Sequence, residues 1–205
     1  MAGTADNWVT TNVAIGPGKM YAELAIPGAG GRLILSSDGT PDSTQNPTAV
    51  HIGMTEEGTA WSVKPTVQTF NADEFQDPII TRITGNEIAV TGSLLQVMDM
   101  AIADILLQNA TRSDLSGTQG VSIGTVSQPQ YTSVSVVFPI EGSSGPTVYG
   151  VFHLYRAFND QGLAAQITSK KLSSTPFAFR GLAITTRAAG DTTGRFFKQL
   201  AGAAS

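Results

Sequence analysis

Apolar and polar residues alternate with a period of two in several parts of the chain, a pattern that predicts half-buried β-strands. In residues 61–70, one face carries the apolar positions Trp61, Val63, Pro65 and Val67. A second alternating segment, residues 87–94, follows closely. Because proline has no amide hydrogen to donate to a ladder, the first segment is predicted to be an edge strand or to contain a bulge at Pro65.

The second half of the chain is rich in β-branched and aromatic residues, which favour strands. Residues 131–140 and 147–157 are two such runs, and the Gly, Ser and Pro residues between them predict a hairpin. Shorter strands are predicted from the other apolar runs, which are residues 20–26, 32–35, 79–83, 163–168 and 177–186. The chain is therefore predicted to be mainly β.

One segment, about residues 99–108, predicts an α-helix. Asp99 is suited to cap its N-terminus. Its apolar stripe consists of Ile102, Ile105 and Leu106. Asp104 and Gln108 are expected on the opposite, polar side. The apolar stripe also extends backwards, so an earlier helix start near Ser93 stays open.

The whole chain, residues 1–205, is predicted to be one domain, because no shift in composition marks a second one. The expected architecture is a mostly antiparallel β-domain, a sandwich or barrel, with one main helix. Residues 36–48 are predicted to form a loop, since Asp-Gly and Pro within them are turn residues. Residues 1–12 are interpreted as an extended N-terminal arm and residues 188–205 as a C-terminal tail.

The charge of the chain is low and uneven. Charged residues make up 14% of it, against roughly 25% in a typical soluble domain. Much of the surface is therefore interpreted as covered by other subunits. Residues 1–114 hold 13 acids and 5 bases and residues 115–205 hold 3 acids and 7 bases, which gives −8 and +4 and a net charge of −4. The opposite charges can pair within one fold or between head-to-tail subunits.

Several kinds of site have no signal in the sequence. There is no cysteine, which excludes disulfides and thiolate metal sites. The two histidines, His51 and His153, lack ligand spacing, so no metal is predicted. No cofactor motif or set of nucleophile, base and orienting group can be assembled, so no enzyme activity is predicted. The chain has no run of 18 apolar residues, so no membrane span is predicted.

The order of the segments resembles the major tail tube proteins of long-tailed, non-contractile bacteriophages (siphophages), particularly those of actinobacterial phages. The resemblance extends over most of residues 12–200. The segments that carry it are residues 12–19, 38–41, 51–58, 72–79, 87–107, 151–157 and 171–183.

This resemblance implies a structural virion protein with the tail-tube type of β-sandwich, which has two sheets and a helix that flanks them. Six copies would form a ring, and stacked rings would form the hollow tube through which double-stranded DNA passes, without specific binding, into the host. The implied partners are further copies of the chain and other tail proteins: the tape measure, tail tip and terminator proteins. The implied location is the virion tail, assembled in the host cytoplasm, with no membrane contact.

The resemblance also implies an acidic lining of the channel. The acids that are candidates for that lining, or for contacts between subunits in the ring, are Glu56, Glu57, Asp73, Glu74 and Asp77. The sequence does not separate these two roles.

Three other functions are considered. A tail terminator or a secretion-tube-like ring protein would have the same fold class and would differ in how many rings it forms. A carbohydrate-binding β-domain would need an exposed aromatic platform, for which the candidates are Trp8, Trp61, Tyr149 and Tyr155. An enzyme is disfavoured, because no catalytic set is recognisable.

Overall fold

The computed structural model describes residues 13–14, 18–24, 35–36, 38–44, 46–53, 55–70, 80–95, 99–124, 129–141, 148–164 and 174–200. Within these residues there are eleven strands and one helix. The strands are β1 (Val13–Ala14), β2 (Lys19–Ala22), β3 (Val50–His51), β4 (Thr55–Phe70), β5 (Ile80–Leu94), β6 (Ala110–Leu115), β7 (Thr118–Ile123), β8 (Thr132–Glu141), β9 (Val148–Asn159), β10 (Thr175–Gly181) and β11 (Gly194–Leu200). The helix is α1 (Met100–Leu107). The prediction of a mainly β chain with one short helix is confirmed.

Nine strands form one antiparallel sheet in the order β3-β2-β8-β9-β10-β5-β4, with β1 added to β8 and β11 added to β9. The strands β6 and β7 form a separate two-stranded sheet. Both β10 and β11 lie on the same side of β9, one after the other along its length. In register, Ala14, Ile140, Val148 and Leu200 stand in one row across β1, β8, β9 and β11.

The large sheet folds back on itself. Trp61 of β4 stacks on Phe152 of β9 with 5.0 Å between the ring centroids, although these strands are not neighbours in the sheet. The main core lies between the two facing parts and includes Val90, Phe179 and Leu154. This arrangement is consistent with a β-sandwich.

The central strands β8 and β9 are buried on both faces, which explains their nearly continuous apolar sequence. Val136 and Phe152 face the main core. Val137 and Val151 face a second cluster that includes Leu35. The hairpin predicted for this part of the chain is confirmed.

The predicted helix is confirmed, and two details of the prediction are wrong. The Asp99 carboxylate accepts a hydrogen bond from the amide of Ala101 at 2.9 Å, so Asp99 is the N-cap. The earlier start near Ser93 is wrong, because β5 continues to Leu94. Gln108 was expected on the polar side but is buried, because it follows the last helical turn in a left-handed conformation (φ 43°) and points inward.

Gln108 fixes the helix to the sheet. Its amide donates to the carbonyl of Ala157 at 3.3 Å and accepts from the amide of Asn159 at 2.9 Å. The Asn159 side chain in turn donates to the carbonyl of Leu106 at 3.0 Å. The C-terminal end of α1 is therefore bound to the end of β9.

The described part of the predicted loop, residues 36–48, is irregular and lies against the second cluster. It is closed by a bridge between Leu35 and Pro41. Gly39 has φ 74° and is buried directly against the ring of Tyr149, where a β-carbon would collide. The loop therefore belongs to the packed body of the chain.

The remaining strand predictions have mixed outcomes. The segment predicted as 177–186 forms β10 only as far as Gly181. Of the segment predicted as 163–168, Leu163 and Ala164 are not in a strand and the other positions lie outside the described residues. The strands β6, β7 and β11 were not predicted from the sequence. β11 lies within the segment that was predicted to be a C-terminal tail. The N-terminal arm, residues 1–12, lies outside the described residues.

Candidate functional site

The hairpin formed by β4 and β5 extends beyond the rest of the sheet. The pairing of β10 with β5 ends where Arg180 meets Ala89. Outward from there, Val63–Phe70 of β4 pair with Ile80–Ile88 of β5, and no other described strand pairs with either segment. We call this part the outer hairpin. It confirms the prediction of an edge strand, and a register shift at Thr66/Val67 lies next to Pro65.

One face of the outer hairpin is apolar. Cross-strand partners share a face of a sheet, so Val63 lies beside Ile88 and Val67 beside Ile83. The same face begins in the core at Val90, which is fully buried. Val67 is 47% exposed and Ile83 is 63% exposed, so the apolar stripe continues from the core into solvent. These positions are more exposed than the half-buried strand that was predicted.

The opposite face of the outer hairpin is polar and carries both signs of charge. Lys64 lies opposite Glu87, and Gln68 lies opposite Arg82. Arg180 of β10 donates to Glu87 at 2.6 Å and also binds Asp160. The Asp160 carboxylate, through its hydrogen bond, is the main reason that the pKa of Arg180 is raised.

The pair between Arg180 and Glu87 bears on the uneven charge of the chain. It joins an acid of the first half to a base of the second half within one molecule. Both side chains are about half exposed, so the pair adds little stability. Intramolecular pairing therefore accounts for part of the charge asymmetry.

At the far end of the outer hairpin, apolar side chains occur on the other face as well. Phe70 pairs with Ile80, and both are exposed. A two-stranded ribbon with exposed apolar residues and free edges is at best marginally stable in water by itself. The outer hairpin therefore has the properties of a surface that is covered by another molecule.

Beside the outer hairpin, the inner edge of β5 borders an open cleft of about 370 Å³. Its lining is made of small and polar residues and one isoleucine: Gly85, Asn86, Ile88, Ala183, Gly190, Thr192, Thr193 and Gly194. None of these side chains is charged. The edge of β5 is therefore open to an approaching backbone.

The structure leaves the five candidate acids unassigned. Glu56 and Glu57 lie in β4, near its start, but their side chains are outside the description. Asp73, Glu74 and Asp77 lie outside the described residues. Their roles in a channel lining or in ring contacts stay predictions. The outer hairpin, in contrast, was not singled out, although its alternating pattern was visible in the sequence.

A buried polar cluster occupies the face of β9 that is turned away from the main core. His153 Nδ1 is hydrogen-bonded to the hydroxyl of Ser135, and both residues are fully buried. Burial, and then the charge of Arg187, lower the pKa of His153 to about 3. The pair has the residue types of a nucleophile and a base, but a hydroxyl that no substrate can reach has no catalytic use.

A carboxylate connects the loop before β11 to β9. Asp191 accepts hydrogen bonds from Tyr155, from Arg187 at 2.9 Å and from Arg195 at 2.8 Å. These donors lower its pKa to about 2, the largest contribution coming from the Tyr155 hydroxyl. The guanidinium of Arg187 also lies 3.7 Å from the centre of the Tyr155 ring.

Among the described residues, no helix is both long and apolar enough to cross a membrane. No protein-family model matches the sequence. No curated protein matches it either.

Proposed function

We propose that this chain is a structural protein that polymerises through its outer hairpin, and that the polymer is the tail tube of a long-tailed, non-contractile phage. The observation that carries the first part is a hairpin whose two outer edges pair with no other described strand and which has an exposed apolar stripe. The resemblance of the sequence to siphophage major tail tube proteins supports the second part.

The two free edges of the outer hairpin belong to different strands. A contact between the β4 edge of one copy and the β5 edge of the next is therefore heterologous, and such contacts close into a ring or continue as a helix. In a ring all hairpins point the same way, so β5 of one copy would run antiparallel to β4 of its neighbour. This contact would remove both edges from solvent, and a free strand edge otherwise promotes uncontrolled pairing.

The two faces of the outer hairpin suit two different environments. The apolar stripe around Val67 and Ile83 would be covered by the body of a neighbouring copy. The polar face, with Lys64 opposite Glu87 and Gln68 opposite Arg82, would face the channel. Its described charged residues are two bases, Lys64 and Arg82, and one acid, Glu87, so the face is hydrated and the acid partly offsets its attraction for the phosphate backbone. This face is an alternative to the acidic lining that the resemblance implies.

The proposed particle follows from the resemblance: six copies in a ring, rings stacked into a tube, and a two-sheet sandwich of the tail-tube type in each copy. The tube would bind the tape measure, tail tip and terminator proteins and would pass double-stranded DNA. It would be assembled in the host cytoplasm and remain in the virion tail.

Electron microscopy of the purified chain across a range of protein concentrations tests this proposal. We expect stacked rings or hollow tubes, whose images give the number of copies in a ring. Single closed rings that never stack would favour a terminator-like protein. Monomers at every concentration, with or without a tail-tip fraction to initiate growth, would refute polymerisation. Glycan binding by such monomers would favour a carbohydrate-binding domain.

A further inference from the structure

His153 is held in a site that suits only the neutral imidazole. The side chain is fully buried on β9, and its Nδ1 atom is hydrogen-bonded to Ser135. Its Nε2 atom is buried and has no hydrogen-bond partner among the described residues. Burial of an unpaired polar atom is costly, and burial of an unpaired charge is far more costly.

The groups that face His153 offer no partner for a proton. On β8 the neighbour is the neutral Ser135, and beyond it on β2 lies Tyr21. On β9, the ring of Tyr155 lies 5.3 Å from the imidazole. On β11, Arg195 is the cross-strand neighbour, and the loop before β11 contributes Arg187 and Asp191.

Two of these groups are guanidiniums, which repel an imidazolium. The single carboxylate among them, Asp191, already accepts from three donors. Tyr21 does not supply a negative charge, because burial, and then Asp38, raise its pKa to about 12. Protonation of His153 therefore requires that some covering element moves away.

The element that can move at least cost is the loop 182–193 together with β11. The strands β8 and β2 on the other side of His153 have sheet neighbours on both edges. β11, in contrast, pairs with β9 alone among the described strands. The loop is attached to β9 by the Asp191 cluster and by two backbone bonds, from the Tyr155 amide to the Thr193 carbonyl at 3.1 Å and from the Leu182 amide to the Arg156 carbonyl at 2.7 Å.

We propose that lifting of the loop 182–193 and β11 from β9 is coupled to protonation of His153, so that mild acid releases this terminal strand. At neutral pH the imidazole is uncharged and the closed form is favoured. In acid the proton binds only to the open form and stabilises it. The device is independent of polymerisation, and its test uses the unassembled chain.

The sign and size of the effect follow from proton linkage. The closed form has a His153 pKa of about 3, and in the open form the ordinary value of about 6.5 applies. The equilibrium constant that favours the closed form is therefore at its maximum above about pH 6.5 and falls roughly tenfold per pH unit between that value and about pH 3. At pH 4.5 the open population should be about 100-fold larger than at pH 7. The pKa of Asp191 is also lowered, but its contribution is lost only below its unfolded value of about 4.

Amide hydrogen exchange of the full chain between pH 7 and pH 4.5, corrected for the intrinsic exchange rate, tests the proposal. In the wild type we expect the opening of β11 and the loop to increase about 100-fold, while α1 and β10 change much less. In His153→Gln, which cannot bind a proton, the opening of β11 should be independent of pH. His51→Gln is the matched control and should behave as the wild type does.

Three results would overturn the proposal: a pH-independent opening of β11 in the wild type, the same pH profile in His153→Gln, or an equal increase in every strand, which means global unfolding. If His153→Gln does not fold, the imidazole signals of His51→Gln, whose sole histidine is His153, give the answer by NMR. A signal that titrates near pH 6.5 without opening of β11 would refute the coupling.

Discussion

The exposed stripe of the outer hairpin offers the sharpest test of the proposed assembly surface. Val67 and Ile83 are cross-strand partners on its apolar face. We consider the double substitution Val67→Thr and Ile83→Thr. Threonine is β-branched, so the strand propensity of both positions is retained. The change replaces apolar surface that is exposed in the single copy and would be covered in the polymer.

The size of the effect follows from the exposed fractions. Full burial of a valine or isoleucine side chain is worth about 1.5–3 kcal/mol. Val67 is 47% exposed and Ile83 is 63% exposed, so roughly half of that free energy remains to be gained on assembly. Half of that range for two side chains is about 1.5–3 kcal/mol, and threonine keeps roughly half of the apolar surface, so the double substitution should cost about 1 kcal/mol per contact, or roughly fivefold in the association constant. The folded single copy should lose less than that.

Sedimentation velocity over a concentration series measures assembly, and urea unfolding measures the stability of the single copy. The matched control is Ile123→Thr on β7, where the side chain is 69% exposed but lies outside the outer hairpin. We expect assembly of the double variant to require a several-fold higher concentration than that of the wild type or the control. Equal assembly of all three proteins would refute the reasoning, as would an equal defect in the control.

Substitutions at three further positions test the internal structure by urea unfolding. Gly39→Ala should destabilise the chain by about 1–3 kcal/mol, because φ is positive and the new methyl group would collide with the ring of Tyr149; an unchanged midpoint would contradict the buried position of this loop. Asp99→Ala should cost about 1 kcal/mol through loss of the N-cap, and Asp99→Asn should restore most of it. Gln108→Ala removes the side-chain partner of two backbone groups of β9, the carbonyl of Ala157 and the partly buried amide of Asn159, and should cost about 1–3 kcal/mol; a cost near zero would show that this contact does not hold the helix.

The elements that could be predicted from the sequence are those whose characteristic residues all lie within one short segment. Asp99 followed by an apolar stripe was sufficient for the helix, because the cap and the stripe lie within one short segment. The apolar runs of β8 and β9 were sufficient for a hairpin. Pro65 was sufficient for an edge position, since its missing amide hydrogen excludes a central strand.

Other features depend on distant contacts and could not be predicted. Gln108 lies where a continued helix would place it on the polar side, but the chain turns there and the amide binds β9. The strands β6 and β11 contain Thr, Ser, Arg and Lys, so they resemble loops until a partner strand is known. The edge of β5 is free in the outer hairpin because β10 ends at Gly181. This residue lies nearly a hundred residues further along the chain.

The exposed face of the outer hairpin also depends on contacts between distant parts of the chain. The alternation through Val63 and Val67 identified a strand with one apolar face, and burial was the natural interpretation. Which part of that face is covered depends on how far the facing strands β9 and β11 reach, and their aromatic contacts with β4 are at Trp61. The exposed apolar surface is therefore a property of the sheet topology.

The row formed by Ala14, Ile140, Val148 and Leu200 has a consequence for the connectivity of the chain. It spans three strand spacings, or about 14 Å. A linker of about five residues covers that distance. β1 and β11, the first and last of the described strands, could thus be joined by such a linker and the chain opened instead at the Ser116-Gly117 turn, with every described strand pair kept. Such a circularly permuted chain would have the same neighbouring strands in a different sequence order. The fold is then determined by the strand pairing rather than by the order of the strands along the chain.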